Sequence, residues 1–178
     1  MAIAKEGIRH EYGACVGRSL IKCYGNDVKV LARALPAAGS DARMSGCPMP
    51  VVINSGSGNP GMTVSLPVIV YGDYLGVSRE RLLRALAFSN LLALYQKSKI
   101  GRLSAYCGAV GAACGSGAAI AYLCGENYDV ICRTIVNTLA NVSGIVCDGA
   151  KPSCAAKIAS AVDAATIAYM LAKDGCAN

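Results

Sequence analysis

Hydrophobic positions along the chain recur at helical rather than strand spacing. Over Ile3–Tyr24, the residues Ile8, Tyr12, Cys15, Val16, Ser19 and Cys23 share one face, which predicts a first helix. Gly25-Asn26-Asp27 reads as a stop followed by an N-cap, and a second helix over Val28–Ala38 must bend or shorten at Pro36. The run Gly46-Cys47-Pro48-Met49-Pro50 cannot be regular helix. Asn54-Ser55-Gly56-Ser57-Gly58-Asn59-Pro60-Gly61 is the richest loop signal in the chain. Thr63–Tyr74 is apolar around Pro67 and reads as a kinked helix. Ser78–Ser98 is the cleanest amphipathic pattern, with Ser78 as cap and Leu82, Leu83, Leu86, Leu91, Leu94 and Tyr95 as its apolar face. Ser104–Leu123 is a small-residue helix and Asn127–Val142 another. Gly144–Lys151 is a loop, and Ser153–Ala172 is a last helix ended by Gly175. Val51–Ile53 and Val68–Val70 are too short and too near proline to build a sheet. The expectation is one all-α domain over residues 1–178, a compact bundle of about six to eight helices around a buried Ala/Gly-rich central helix.

Composition narrows what that bundle can be. The chain has 178 residues and is 54% hydrophobic but only 6% aromatic, with one Phe and no Trp. A core with so few large side chains must bring its helices close together over Ala and Gly. High apolar content with 16% charge excludes a disordered chain. Lys and Arg outnumber Asp and Glu by 17 to 11, but they are scattered and form no basic face with interleaved aromatics. No nucleic-acid partner is therefore expected. No charged-then-apolar export signal is visible, so the ten cysteines are read as thiols of a cytoplasmic protein. Leu103–Gly125 runs 23 residues without a charge, long enough to cross a bilayer. Its few aliphatic anchors and missing aromatic belt favour a central helix encased by others, and no membrane partner is expected.

Two constellations could carry chemistry. In the Ser/Gly-rich loop, glycines permit positive φ, so successive N–H groups can line a concavity that holds a carboxylate or small phosphate. Ser55, Ser57, Asn54 and Asn59 add side-chain donors. An ordinary connection between helices is the equal alternative, since neither a Walker motif nor a dinucleotide fingerprint is present. The second constellation is Cys107, Cys147 and Cys154. Cys147 and Cys154 bracket a Gly/Pro turn that runs into a helix N-terminus, which would favour thiolates and a metal. The alternative is that free cysteines act as small buried hydrophobes, the reading given to Cys15, Cys23, Cys114, Cys124 and Cys132. His10 is the only histidine and is read as a surface residue, so a conventional Ser/His/Asp or Cys/His site is not expected. Lys151 and Lys157, near the cysteine turn, are read first as solvated lysines and second as contacts for an acidic substrate.

The ordered strings Ser40-Asp41-Ala42-Arg43-Met44-Ser45-Gly46-Cys47-Pro48, Asn54-Ser55-Gly56-Ser57-Gly58-Asn59, Lys97-Ser98…Gly101-Arg102-Leu103-Ser104-Ala105-Tyr106-Cys107-Gly108 and Gly144-Ile145-Val146-Cys147-Asp148-Gly149-Ala150-Lys151…Cys154-Ala155 resemble the serine dehydratase α-domain family. The branch they resemble most is that of the L-cysteine desulfidase-like proteins. The resemblance implies a lyase without pyridoxal phosphate, in which three thiolates hold a [4Fe–4S] cluster with one open iron, and L-serine or L-cysteine yields pyruvate and ammonia. By this resemblance the ligands fall on Cys107, Cys147 and Cys154, and Ser55, Gly56, Ser57, Gly58 and Asn59 hold the carboxylate of a small amino-acid substrate. An aerobic preparation is expected to lose such a cluster. Two features depart from the family pattern. Pro60 stands where the family loop usually has Gln, and nothing in Met1–Pro36 resembles the family's Gly-Cys-Thr-Glu-Pro region. A partner is therefore expected, either an N-terminal domain, a second subunit or another copy. Cys176 is similar in position to the terminal cysteine that caps the open iron in some serine dehydratases.

Overall fold

The structure, a computed structural model, describes residues 1–101 and 104–177, so Arg102 and Leu103 of the third string lie outside the described residues. The helices are α1 (Ala2–Arg9), α2 (Val16–Tyr24), α3 (Val28–Met44), α4 (Gly58–Leu75), α5 (Arg79–Ile100), α6 (Gly108–Leu123), α7 (Tyr128–Val142) and α8 (Ser153–Lys173). Among the described residues there is no strand, only isolated bridges between Asn54 and Ser57 and between Tyr106 and Val146. The all-α expectation and the number of helices agree with this.

Small side chains decide the packing. In α6 every residue except Gly108, Gly111 and Tyr122 is buried, and the helix packs against α4, α5, α7 and α8. A Cβ on Gly115 would sit 2.6 Å from the Ser89 carbonyl oxygen of α5. The two backbones are thus closer than any side chain would allow, which recovers by dense contact what large residues would otherwise supply. On the other side of the bundle, α3 packs against α1, α2, α4 and α8. α8 is long and apolar enough to cross a membrane, but half of that stretch is buried inside the bundle. The uncharged run predicted as a central helix is α6, sixteen residues long.

Several predicted boundaries move, each for a tertiary reason. The first expected helix is broken into α1 and α2 by left-handed backbone at Gly13 (φ 55°) and Cys15 (φ 52°). The buried carboxylate of Asp41 compensates, accepting from the N–H groups of Ala14 (3.3 Å) and Val16 (2.7 Å). α3 does not stop near Pro36; it continues to Met44 because Ala37, Ala38, Gly39, Ser40, Asp41 and Ala42 are all buried among α1, α2, α4 and α8. The loop predicted to reach Gly61 ends earlier, as α4 starts at Gly58 with Pro60 in its first turn, where no N–H is needed.

The largest departure is on α5. Its predicted apolar face is split: Leu82 and Leu86 pack on the core, but Leu83, Leu91, Leu94 and Tyr95 are exposed, Leu91 at 65%. The face turned inward carries Ala85, Ser89 and Ala93. α6 offers glycine and alanine, so only a small-residue face of α5 can approach it closely.

Candidate functional site

The N-termini of α4, α6 and α8 meet around a cavity of about 760 Å3. A Cβ on Gly108, the first residue of α6, would stand 3.4 Å from the Pro60 ring in the first turn of α4. Both predicted constellations line this one cavity: Ser55, Ser57 and Asn59 on one wall, Cys107, Cys147 and Cys154 on another. Gly56 and Gly58 shape the wall without lining it.

The Ser/Gly wall is a tight turn. Ser55 (φ 53°) and Gly56 (φ 82°) are both left-handed, and Asn54 and Ser57 exchange backbone hydrogen bonds of 3.1 Å across them, the pattern of a type I′ turn. The Ser57 N–H is therefore spent inside the turn, contrary to the expectation that successive amides of this segment all face a ligand. Asn54 fastens the turn to α5, donating through Nδ2 to the carbonyl (3.3 Å) and Oδ1 (3.0 Å) of Asn90. What faces the cavity instead is the start of α4. Ser57 makes no side-chain cap, so the N–H groups of Gly58 and Asn59 keep no helical partner.

The thiol wall is set by a two-residue antiparallel pairing. Cys107 N–H donates to the Ile145 carbonyl (3.0 Å) and Cys147 N–H to that of Ala105. Side chains alternate across such a ladder, so Cys107 and Cys147 share the face opposite to Tyr106 and Val146, which are exposed. Cys107 is also the N-cap of α6, and Cys154 is the second residue of α8, after the N-cap Pro152; neither helix has a side-chain cap. By contrast α3, α5 and α7, whose N-termini lie elsewhere, are capped by Asp27, Ser78 and Asn127. Burial raises the Cys107 thiol pKa above its usual range. The Ala109 N–H opposes this, Cys147 and Cys154 add to it, and Lys157 counters. The Cys107 sulfur therefore lies within electrostatic reach of both other thiols.

Among the described residues, no three His, Cys, Asp or Glu side chains converge as one metal ion requires. A cluster makes a different demand, because its irons sit at separate corners and its thiolates stand around it rather than on one point. The donor set present, three thiols on one cavity wall with two of them at uncapped helix N-termini that favour negative charge, is of the soft kind such a cluster takes.

Among the described residues no Asp or Glu lines the cavity, whereas Arg43, Lys97 and Lys99 do. The Arg43 side chain lies across Gly58, where a Cβ would come within 2.8 Å of its Nε, and Nη1 donates to Asn59 Oδ1 (3.2 Å). The sequence reading gives Arg43 no site role; its one signal there is that it is the lone cation of the Ser40–Pro48 string. Lys157 is not free: it pairs with Asp148 and donates to the Val146 carbonyl (3.1 Å), tying the Cys147 loop to α8. Lys151 stands 3.8 Å from the same carboxylate. His10 is exposed beside Glu6, as read from the sequence.

Of the cysteines read as buried, only Cys114 is; Cys23 and Cys124 are exposed, Cys15 and Cys132 half-buried. Cys176 lies at the C-terminal end of α8, and a helix of 21 residues puts about 30 Å between it and Cys154. It does not reach the thiols of its own chain, which corrects the capping role suggested by the resemblance.

The model of one family, described as serine dehydratase alpha chain, matches residues 1–178. The chain belongs to that family. Relatives called UPF0597 proteins are similar over nearly the whole chain. The one from Lachnoclostridium phytofermentans is 68% identical across 97% of this chain and 42% of its own length. That from Desulfitobacterium hafniense is 64% identical across 98% and 40%, and that from Bacteroides thetaiotaomicron 41% across 98% and 42%. The chain thus spans about two fifths of the length of the curated relatives it matches. No solved structure matches it.

Proposed function

We propose that this member of the serine dehydratase alpha chain family is the cluster-binding portion of an iron–sulfur lyase that eliminates water from L-serine or sulfide from L-cysteine, giving pyruvate and ammonia. The observation that carries this reading is the shared cavity, which brings Cys107, Cys147 and Cys154 together with the Ser55–Asn59 turn. A bound cluster would supply a Lewis-acid iron for the departing β-substituent. The chain's own part is to hold and orient. The three thiols are the ligands, and the uncapped starts of α6 and α8 stabilise their negative charge. Ser55, Ser57 and Asn59 face the substrate, while Val110, Val142, Ile145 and Ile158 make the surrounding wall apolar and exclude water.

A second reading rests on what the cavity lacks. Among the described residues it carries neither a carboxylate nor an imidazole, so the usual proton acceptors for the α-carbon are not among its lining residues. In that reading this chain is a binding module for a metal or carboxylate that turns over only with its partner region. The exposed α5 residues Leu91 and Leu94, together with Tyr95, which lines the cavity, suit such a partner.

Anaerobic reconstitution tests the first reading. About four irons and four sulfides per chain are expected, and Cys147→Ala should lose most of that iron. Unchanged iron content in Cys147→Ala would refute the assignment.

A further inference from the structure

Several cations of the bundle pair with a carboxylate. Arg33 pairs with Asp163, Arg84 with Glu80, Arg133 with Asp129, Arg18 with Glu11, and Lys173 with Glu126. Arg43 has no carboxylate within ion-pair distance among the described residues; its one side-chain partner is the neutral amide of Asn59. It nevertheless lies against the start of α4, whose N–H groups already make that place positive. A guanidinium beside an uncapped helix N-terminus is electrostatically adverse until an anion sits between them.

Asn59 says the same independently. It is only 8% exposed. Arg43 can only donate, so the atom facing it must be Oδ1, and the two Nδ2 donors must point the other way. They have no protein acceptor among the described residues, and Asn59 lines the cavity. Those donors open to the cavity, where a ligand can accept from them. The wall therefore presents the Arg43 fork, the Asn59 Nδ2 group and the N–H groups that open α4. Gly58 makes this possible, because any side chain there would push Arg43 aside.

We propose that Arg43 is the charge-bearing anchor of the ligand, with Asn59 completing a clamp for the carboxylate of a small amino or 2-oxo acid. This deepens the proposed function and rests on it for the identity of the acid. It departs in one respect from what the family resemblance implies: the clamp, and not the Ser55–Ser57 segment, binds the carboxylate. A bidentate guanidinium–carboxylate pair fixes orientation as well as position, so Arg43 selects ligands that carry the planar anion. Lys97 and Lys99 line the same cavity and raise the local anion concentration.

The test uses the iron-free chain with pyruvate as the probe, titrated by calorimetry or by NMR, so that failure to assemble a cluster does not decide it. Saturable pyruvate binding is expected, with no binding of the uncharged pyruvamide. R43Q should weaken pyruvate at least about tenfold, the weight of one charge-assisted hydrogen bond. N59D should do the same without removing a cation, since it sets a carboxylate on the guanidinium; it serves if R43Q fails to fold. K22Q, an equal charge loss on exposed α2, should leave the affinity unchanged. Absence of pyruvate binding to the parent chain, or parent-like affinity in N59D, would overturn the proposal.

Discussion

Replacing Gly61 with Ala tests whether the cavity wall is held by backbone contact. An added Cβ would lie 1.8 Å from the Val52 carbonyl oxygen and 2.6 Å from its carbon. These are backbone atoms and cannot swing aside. Reaching an ordinary C–H···O separation requires a shift of about 1.5 Å. That shift falls two residues before Asn54, whose side chain locks the turn to Asn90. Helix propensity favours Ala by about 1 kcal/mol, whereas overpacking costs about 1–3 kcal/mol and more when backbone must move. We expect a net loss of about 2 kcal/mol. For a chain of this size that is a fall in Tm of about 4–8 °C, or roughly 1 M in the urea midpoint. Gly144→Ala is the control, since its Cβ would meet no atom within 4 Å, and it should gain about 0.4–1 kcal/mol from the unfolded state. Thermal and urea unfolding followed by circular dichroism measure both. A Gly61→Ala variant as stable as the parent would refute the contact and the backbone argument built on it.

Three further outcomes follow from burial and charge. Burial raises the Asp41 pKa against the pull of the Val16, Ala14 and Gly17 N–H groups. The folded chain then holds this proton more tightly than the unfolded chain, so the contribution to stability is present below the ordinary carboxylate pKa and lost as pH rises through the raised one. Asp41→Asn should remove that part of the slope in urea midpoints measured upward from about pH 4, and an unchanged profile would count against the assignment. In the metal-free chain, exposed Cys147 should be alkylated by iodoacetamide before Cys107, whose thiolate burial disfavours; Cys114, pushed up to about 12, should come last. Peptide mass spectrometry gives the order, and early labelling of Cys114 would contradict the packing of α6. Leu91→Glu with Leu94→Glu should shift this chain's stability by no more than about 0.5 kcal/mol, because both are exposed. A cooperative loss of several kcal/mol would place that face in the core.

Much of the bundle was legible in the sequence because its signals are local. Ser78 and Asn127 start helices by capping them, Gly175 follows the last one in left-handed backbone, and the uncharged Ala/Gly run becomes the encased α6. The three thiols and the Ser/Gly turn were likewise visible as residue types in an order that resembles a family. What the sequence could not convey depends on partners far along the chain. Continuity through Tyr12–Val16 looked helical until Asp41, twenty-five residues beyond Val16, offered a better acceptor for the Val16 N–H. Leu91, Leu94 and Tyr95 looked like a core face, yet close approach to α6 rewards the small face of Ala85, Ser89 and Ala93, so the larger residues turn outward. The site itself was decided in the same way. Cys107 and Cys147 come to one wall only through the Tyr106–Val146 pairing, and Arg43 becomes a cavity cation only because Gly58 lets it cross the start of α4. Local propensity set the elements; close packing over small residues, which no periodicity records, chose their faces and placed the chemistry between them.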